Sequence, residues 1–273
     1  MRQIETTMGP LPLVGQGTWT MGSSPANRKN EVAALQLGID LGMTLLDTAE
    51  MYAEGGAEEV TAEAIRGRRD SVFVVSKVLP QNASREGTIQ AAERSLARLG
   101  IECLDLYLLH WEGSHPLEDT LAAMEELVQS GKTRFYGLSN FDTDAMKKAA
   151  ALPGANWQSN QVLYNLSRRG PEASLISYCR ETDVMVMSYS PVEQARLNIA
   201  EGLKQVGEKH NVTPYTVAVA WTVQRPGVMT IPKATQLDHV RANASAGDLI
   251  LDEEDMKLLD QEYPRQSNGL EFL

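Results

Sequence analysis

The chain has 273 residues, 42% of them hydrophobic and 22% charged, which is enough apolar material for a large core and too much for a disordered chain. Its 25 basic and 36 acidic residues leave a formal net charge of -11. That balance argues against a nucleic-acid partner, because phosphate binding relies on clustered Lys and Arg, but it is compatible with one anionic small molecule in a local basic pocket.

In chain order, Gly9 to Leu13 reads as a turn or hairpin cap, and Val14 to Trp19 as a short strand whose glycines permit close approach. Asn30 to Leu41 has the spacing of a helix, with Val32, Leu35 and Ile39 inward. A strand from Thr44 ends at Asp47. Glu58 to Ile65 follows as a helix with Val60, Ala64 and Ile65 inward, and Val72 to Val78 as a strand. Ser84 caps a third helix that stops at Gly100, with Ile89, Ala92, Leu96 and Leu99 on one stripe. Leu104 to His110 is a strand. Leu117, Leu121, Met124 and Val128 then mark a helix that ends at Gly131. Strands at Thr133 to Ser139, Trp157 to Val162, Val184 to Ser188 and Val228 to Pro232 complete a set of eight. Helices between and after them are expected at Asp144 to Ala149, Glu172 to Glu181, within Ala200 to Lys209, at Tyr215 to Gln224, near Asp238 to Ala246, and at Glu253 to Gln261. Thr213 and Pro214 supply a cap and a first helical position for the Tyr215 helix.

Eight strands that are apolar on both faces, each followed by a helix, predict a closed (β/α)8 TIM barrel in one domain, residues 1–273. The competitor is a doubly wound open sheet, and no G-x-G-x-x-G after the first strand supports it. No uncharged apolar run nears the ~20 residues of a membrane span, and the N-terminus has no apolar signal-peptide core. Cys103 and Cys179 lack metal-ligand spacing and read as reduced thiols of a cytoplasmic protein. A monomer is compatible with these features.

In such barrels chemistry sits at the C-terminal strand ends. Here those positions are Trp19, Asp47, Lys77, His110, Ser139, Asn140, Gln161, Tyr189 and Lys233. Each has a bland reading alone: Asp47 as a helix cap, Lys77 as a solvated rim charge, Tyr52 as a packed aromatic. Their shared location favours chemistry. A tyrosine of pKa ~10 carries a proton at neutral pH, and a neighbouring Lys⁺ lowers that pKa and eases its transfer. Asp47 would hold Lys77 charged, and His110 could donate a hydrogen bond to a carbonyl oxygen. Such a set protonates an alkoxide forming on a reduced carbonyl but holds no hydride, so a reduced nicotinamide must supply it. Metal ligation at His110 and His115 is the weaker reading, since no third ligand accompanies them.

The chain resembles the aldo-keto reductase superfamily from end to end, and within it bacterial members described as methylglyoxal reductases. The resemblance is carried by Gly17-Thr18-Trp19, Asp47-Thr48-Ala49 with Tyr52, Ser76-Lys77, Leu104 to Trp111, Gly137 to Phe141, Asn160-Gln161, Ser188-Tyr189-Ser190-Pro191 and Ile231-Pro232-Lys233. It implies Tyr52 as general acid, tuned by Lys77 and Asp47, with His110 orienting the carbonyl. It implies NADPH as cofactor: Ser139, Asn140 and Gln161 on the carboxamide, Tyr189 stacked on the ring, and Ser190, Pro191, Val192 and Gln194 along the pyrophosphate. Lys233, Ala234, Thr235, His239 and Asn243 would surround the adenosine and its 2′-phosphate. Gly17, Thr18, Trp19, Asp47 and Ile231 complete the implied nucleotide contacts. Trp19, Tyr52, His110 and Trp111 would wall the substrate pocket.

The chain departs from the family pattern in places. His239 stands where many members have an arginine, Ala234 where a serine is common, and Ala242 where an acid is common. Loss of a bidentate guanidinium weakens phosphate binding, but Lys233 is retained. The tail Pro264 to Leu273 and the loop Glu112 to Pro116 are short, which predicts an open pocket suited to small or varied aldehydes. Reduction of small aldehydes and α-dicarbonyls such as methylglyoxal is therefore the expectation. The alternatives are a nicotinamide-binding regulatory subunit and a reductase of a sugar-derived diketone.

Overall fold

The structure is a computed structural model that describes residues 1–153, 155–265 and 269–272. It opens with an antiparallel hairpin, β1 (Gln3–Ile4) and β2 (Leu11–Pro12). The alternation then runs β3 (Gln16–Gly17), α1 (Arg28–Asp40), β4 (Leu45–Asp47), α2 (Gly56–Ala64), β5 (Phe73–Val78), α3 (Arg85–Leu99), β6 (Leu104–Leu109) and α4 (Leu117–Gln129). It continues through β7 (Thr133–Ser139), α5 (Thr143–Ala149), β8 (Ser159–Leu163), α6 (Leu175–Glu181), β9 (Met185–Tyr189), α7 (Glu201–Lys209), α8 (Pro214–Thr222), β10 (Val228–Thr230), α9 (Leu237–Ala246) and α10 (Glu253–Glu262).

Strands β3 to β10 pair in sequence order, all parallel. The first and last meet through a parallel bridge between Val14 and Thr230: Gly15 donates to the Thr230 carbonyl at 2.8 Å, and Thr230 to the Leu13 carbonyl at 2.9 Å. The sheet is thus a closed (β/α)8 barrel. Closure is tight where Gly17 passes β10, since a Cβ there would stand 2.7 Å from the Ile231 carbonyl oxygen.

The barrel interior is filled by Leu45, Phe73, Val75, Leu106, Leu108, Met185, Met187, Met229 and Ile231, and the hairpin seals its lower end with Met8 and Leu11. The turn or hairpin cap expected at Gly9 to Leu13 is therefore the second strand of a capping hairpin. Side chains alternate along a strand, so each inward row can be continued upward by twos. Leu45 leads to Asp47, Phe73 and Val75 to Lys77, Leu106 and Leu108 to His110, Met185 and Met187 to Tyr189, and Met229 and Ile231 to Lys233. The layer above the apolar core is the polar layer.

Several element ends differ from the expectation. Ser84 caps α3 by accepting from Gly87 N–H, and Gly100 ends it in the left-handed conformation, as read. Thr213 caps α8, with Pro214 in its first turn. Helix α1 starts earlier, at Arg28, which pairs with Glu59 and Glu63 of α2 at 3.1 and 2.8 Å. Its buried face is Glu31, Ala34, Leu35, Gly38 and Ile39, while Val32 is only half-buried. Glu31 is inward because its carboxylate accepts from Gly22 N–H at 2.9 Å. The helix expected from Glu172 begins at Leu175. Glu172 instead sits in a 3-10 turn, held by Arg169 and Tyr164 at 2.9 Å each, and Ser174 breaks the helical path at φ -156. The Val14 to Trp19 strand is regular only over Gln16–Gly17.

Candidate active site

Asp47, Lys77 and His110 rise from adjacent strand ends, and Tyr52 reaches over them from the turn that follows β4. Lys77 is fully buried, and its Nζ donates to Asp47 Oδ2 at 2.8 Å, to the Thr48 carbonyl at 2.8 Å and to the Tyr52 hydroxyl at 3.3 Å. An ammonium has three N–H donors, and all three are used, which is the arrangement of a charged lysine. Asp47 Oδ1 accepts from Gln161 Nε2 at 2.7 Å. Burial works against both charges, raising the carboxyl pKa and lowering that of the amine, while the ion pair opposes it on each side.

Tyr52 is held well above its ordinary pKa, first by burial and then by the Asp47 charge. That is opposite to the direction expected from a neighbouring Lys⁺. The reason is that burial dominates and the ammonium arrives already matched by Asp47. Tyr52 therefore carries its proton, and because the Lys77 N–H occupies its oxygen, the hydroxyl hydrogen is left to the cleft. His110 stands edge-on to Tyr52 with ring centroids 5.9 Å apart and tilts against Trp111 at 4.7 Å. Burial and the Lys77 charge push its pKa down to about 2, so it is a neutral ring with one N–H to give. Its Nδ1 is buried and has no hydrogen-bond partner among the described residues.

Asp47, Tyr52 and His110 line the floor of a cleft of about 1430 Å³. Of the residues read from the sequence, Gly17, Trp19, Asp47, Tyr52, His110, Trp111, Ser139, Asn140, Gln161, Tyr189, Ser190, Pro191, Val192, Gln194, Ile231, Lys233, Ala234, Thr235, His239 and Asn243 line it. Lys77 does not reach the wall. Thr18 does not either: it is fully buried, and its hydroxyl and its N–H both donate to the Asp47 carbonyl at 3.0 Å. Its place is beneath the cleft, where it fixes the end of β4.

The expected carboxamide set is also a mutual scaffold. Asn140 Nδ2 donates to the His110 carbonyl at 3.0 Å and to Ser139 Oγ at 3.2 Å, while its Oδ1 accepts from the Tyr189 hydroxyl at 3.0 Å. Asn140 is left-handed at φ 64, and so are Ser190, Glu193, Gln194 and Ala195 in the loop after β9. Apart from Asp183 and Asn211, every described non-glycine residue with positive φ belongs to a segment that builds this cleft. Strain of this kind concentrates where backbone geometry serves a ligand.

A model of the aldo/keto reductase family matches residues 13–263. The chain belongs to that family. It is 48% identical over 261 residues to methylglyoxal reductase YeaE of Escherichia coli (strain K12), covering 93% of this chain and 92% of that one. It is 31% identical over 250 residues to glyoxal reductase of Bacillus subtilis (strain 168), covering 92% and 88%. An aldo-keto reductase from Klebsiella pneumoniae, solved in complex with NADPH, superimposes with a TM-score of 0.97 at 42% identity, over 100% of this chain and 99% of that one.

Other cleft residues of this aldo-keto reductase were not expected there from the sequence. Met51, Glu112, Arg196, Thr213, Tyr215 and Gln236 line the wall, as do Leu270 and Phe272 from the tail. Thr213 and Tyr215 could have been found, since a helix that precedes a strand must start at the rim where the previous strand ended. The tail, whose shortness predicted an open pocket, still reaches the cleft; its residues 266–268 and 273 lie outside the described residues. Glu271 pairs with Arg168, which also contacts Glu193 at 3.2 Å. No described helix is long and apolar enough to cross a membrane.

Proposed function

We propose that the protein reduces small aldehydes and α-dicarbonyls, methylglyoxal among them, to alcohols in an NADPH-dependent reaction with Tyr52 as general acid. One observation carries the reading: the three hydrogen bonds of Lys77, which leave a protonated Tyr52 hydroxyl facing the cleft beside a neutral His110.

The donor set fits a nicotinamide nucleotide. Ser139, Asn140 and Gln161 gather amide and hydroxyl groups at one point, and Tyr189 offers a flat ring next to them. Lys233, His239 and Arg196 are exposed on the wall formed by the loops after β9 and β10 and the start of α9, where a 2′-phosphate would lie; Arg196 offers a guanidinium that His239 does not, and Asp238 opposes it. When bound there, the reduced nicotinamide supplies the hydride. The protein's own groups do the rest. His110 donates its N–H to the carbonyl oxygen and orients it. Tyr52 gives its proton to that oxygen as negative charge develops. Lys77, held by Asp47, stabilises the tyrosinate left behind.

The same reading makes residues 1–273 one working domain. It also makes the protein a cytoplasmic enzyme, supported by Cys103 and Cys179, which are both free thiols. The test is loss of reduced-nicotinamide absorbance with methylglyoxal, comparing NADPH with NADH and wild type with Tyr52→Phe, alongside nucleotide binding followed by fluorescence. Tyr52→Phe is expected to bind NADPH as wild type does and to lose about 10²–10⁴ in kcat, the size of a general-acid contribution. A wild type that binds NADPH and turns over no aldehyde would favour a regulatory subunit.

A further inference from the structure

Behind the reacting groups lies a second buried ion pair that the chemistry above leaves unused. Ser76 precedes Lys77 on β5, so its side chain points the other way, out of the barrel. Glu58 of α2 meets it there. Glu58 is fully buried; Oε1 accepts from the Ser76 hydroxyl at 2.6 Å and Oε2 from Arg98 Nε at 2.5 Å. Arg98 comes from the last turn of α3. Its stem lies directly on the backbone of Gly55, three residues past Tyr52: Gly55 is at φ +93, and a Cβ there would stand 2.4 Å from Arg98 Cδ. The opposite side of the same turn is closed by Gly22, whose Cβ would stand 2.3 Å from the Gly56 carbonyl carbon. Between Tyr52 and Gly55, Ala53 and Glu54 are left-handed at φ 50 and 54, conformations that persist only where the surroundings hold them.

We infer that Glu58, clamped by Arg98, is a positioning residue for the Tyr52–Lys77 contact. Through Ser76 it ties the strand that bears Lys77 to the turn that bears Tyr52, and it puts a second negative charge behind the Lys77 ammonium. The inference rests on the proposed reduction, in which that contact moves the proton. Lys77 faces Asp47, Tyr52 and His110 on the cleft side. On the outer side stand Glu58 and Arg98, with Tyr107, Glu50 and Arg94 in the same layer. Burial draws the Lys77 pKa down, and Asp47 and then Glu58 draw it back up.

The experiment uses the full chain as Glu58→Gln and Ser76→Ala, with NADPH and methylglyoxal. It reads kcat against pH, the carbonyl KM, and NADPH affinity by fluorescence. Glu58→Gln is expected to lower kcat about tenfold, the scale of a small misplacement of a reacting group, with NADPH affinity unchanged. The alkaline limb of its pH profile should move to lower pH, because a neutral amide no longer favours the ammonium; mere loosening would not shift it. Ser76→Ala keeps both charges of the Glu58–Arg98 pair, so it should lower kcat with the limb in place. It also covers the case in which Glu58→Gln fails to fold. A folded Glu58→Gln with wild-type kcat and limb, or a Ser76→Ala with wild-type kcat, overturns the inference. If wild type binds NADPH but reduces no aldehyde, the functional reading has failed instead. The brace is then read from hydrogen exchange at residues 52–56: faster exchange in Ser76→Ala supports it, and unchanged exchange overturns it.

Discussion

The Asp47 carboxylate and the Lys77 ammonium stand 2.8 Å apart, Lys77 fully buried and Asp47 nearly so. Taking one charge away leaves the other buried without its partner, which costs about 3–5 kcal/mol, whereas removing both is far milder. Asp47→Asn and Lys77→Met should each lower urea stability by an amount of that order, and the double variant should recover most of the loss. None of the three should recover kcat: Lys77→Met and the double variant lack the charge that supports Tyr52, and Asp47→Asn lacks the carboxylate that holds it. A double variant as unstable as the singles would mean that the pair is held for packing rather than charge.

His110 has its pKa pushed down to about 2 by burial and the Lys77 charge, against an ordinary value of 6.5. Below pH 6.5 the unfolded chain binds a proton at this residue that the folded chain refuses. Its contribution to stability is therefore complete above pH 6.5 and is lost as pH falls toward the folded value, at up to about 1.4 kcal/mol per pH unit. Thermal melts from pH 7 to pH 4 should show a decline in wild type that His110→Leu flattens. The ring also stays neutral throughout that range, so kcat/KM should show no ionisation near 6.5 assignable to it. An acid limb centred there that vanishes in His110→Leu would contradict this.

The barrel was legible because its code is redundant. Each strand is an apolar run closed by a polar residue, and the alternation that buries Val75 and Leu108 is the same one that presents Lys77 and His110. Asp47, Lys77 and His110 could be read because they lie on that period, whereas Tyr52 comes from the turn after β4. Features off the period were not legible. Glu31 lies inward on α1 because it binds a loop amide that no helical stripe records. Thr18 was read as a cofactor contact, yet the chain path turns it under the site. The direction of the Tyr52 shift could not be read from a Lys⁺ neighbour alone, because it depends on how much water burial removes and on Asp47 having already matched the charge. The tail's contribution to the wall depends on the Arg168 and Glu271 pairing across distant parts of the chain.

Charge on the cleft wall predicts which carbonyls are refused. Lys233 and Arg196 stand on the loops after β10 and β9 and His239 on the first turn of α9, while the wall around His110 and Trp111 offers Glu112 and no cation among the described residues. A substrate carboxylate would therefore meet an acid and no partner. Methyl 4-formylbenzoate and 4-carboxybenzaldehyde share a skeleton and differ in that charge. The ester should be preferred in kcat/KM by about three- to tenfold, with the gap narrowing at high salt, since Glu112 is exposed and its field is screened. Glu112→Gln should shrink the ratio. Equal use of ester and acid by wild type would refute the argument, and it would bring back a sugar-derived diketone that carries a carboxylate as a substrate.

Arg168 joins two walls of the cleft. Its Nε contacts Glu193 Oε1 at 3.2 Å in the strained loop after β9, and its Nη1 pairs with Glu271 in the tail. Asn165 braces the same loop, donating to Glu193 Oε1 at 2.7 Å and to the Ser190 carbonyl at 2.8 Å. Glu193, Gln194 and Ala195 are all left-handed, so the loop keeps its shape only while these contacts hold. Arg168 is about a third exposed, which limits what its ion pairs contribute. Arg168→Ala should speed NADPH release by about three- to tenfold in stopped-flow fluorescence, the kinetic reading of about 1 kcal/mol lost from the bound state. Glu271→Gln frees only the tail and should leave NADPH release unchanged while raising the carbonyl KM. If Glu271→Gln accelerates release as much as Arg168→Ala does, the tail and not Glu193 is what holds the loop closed.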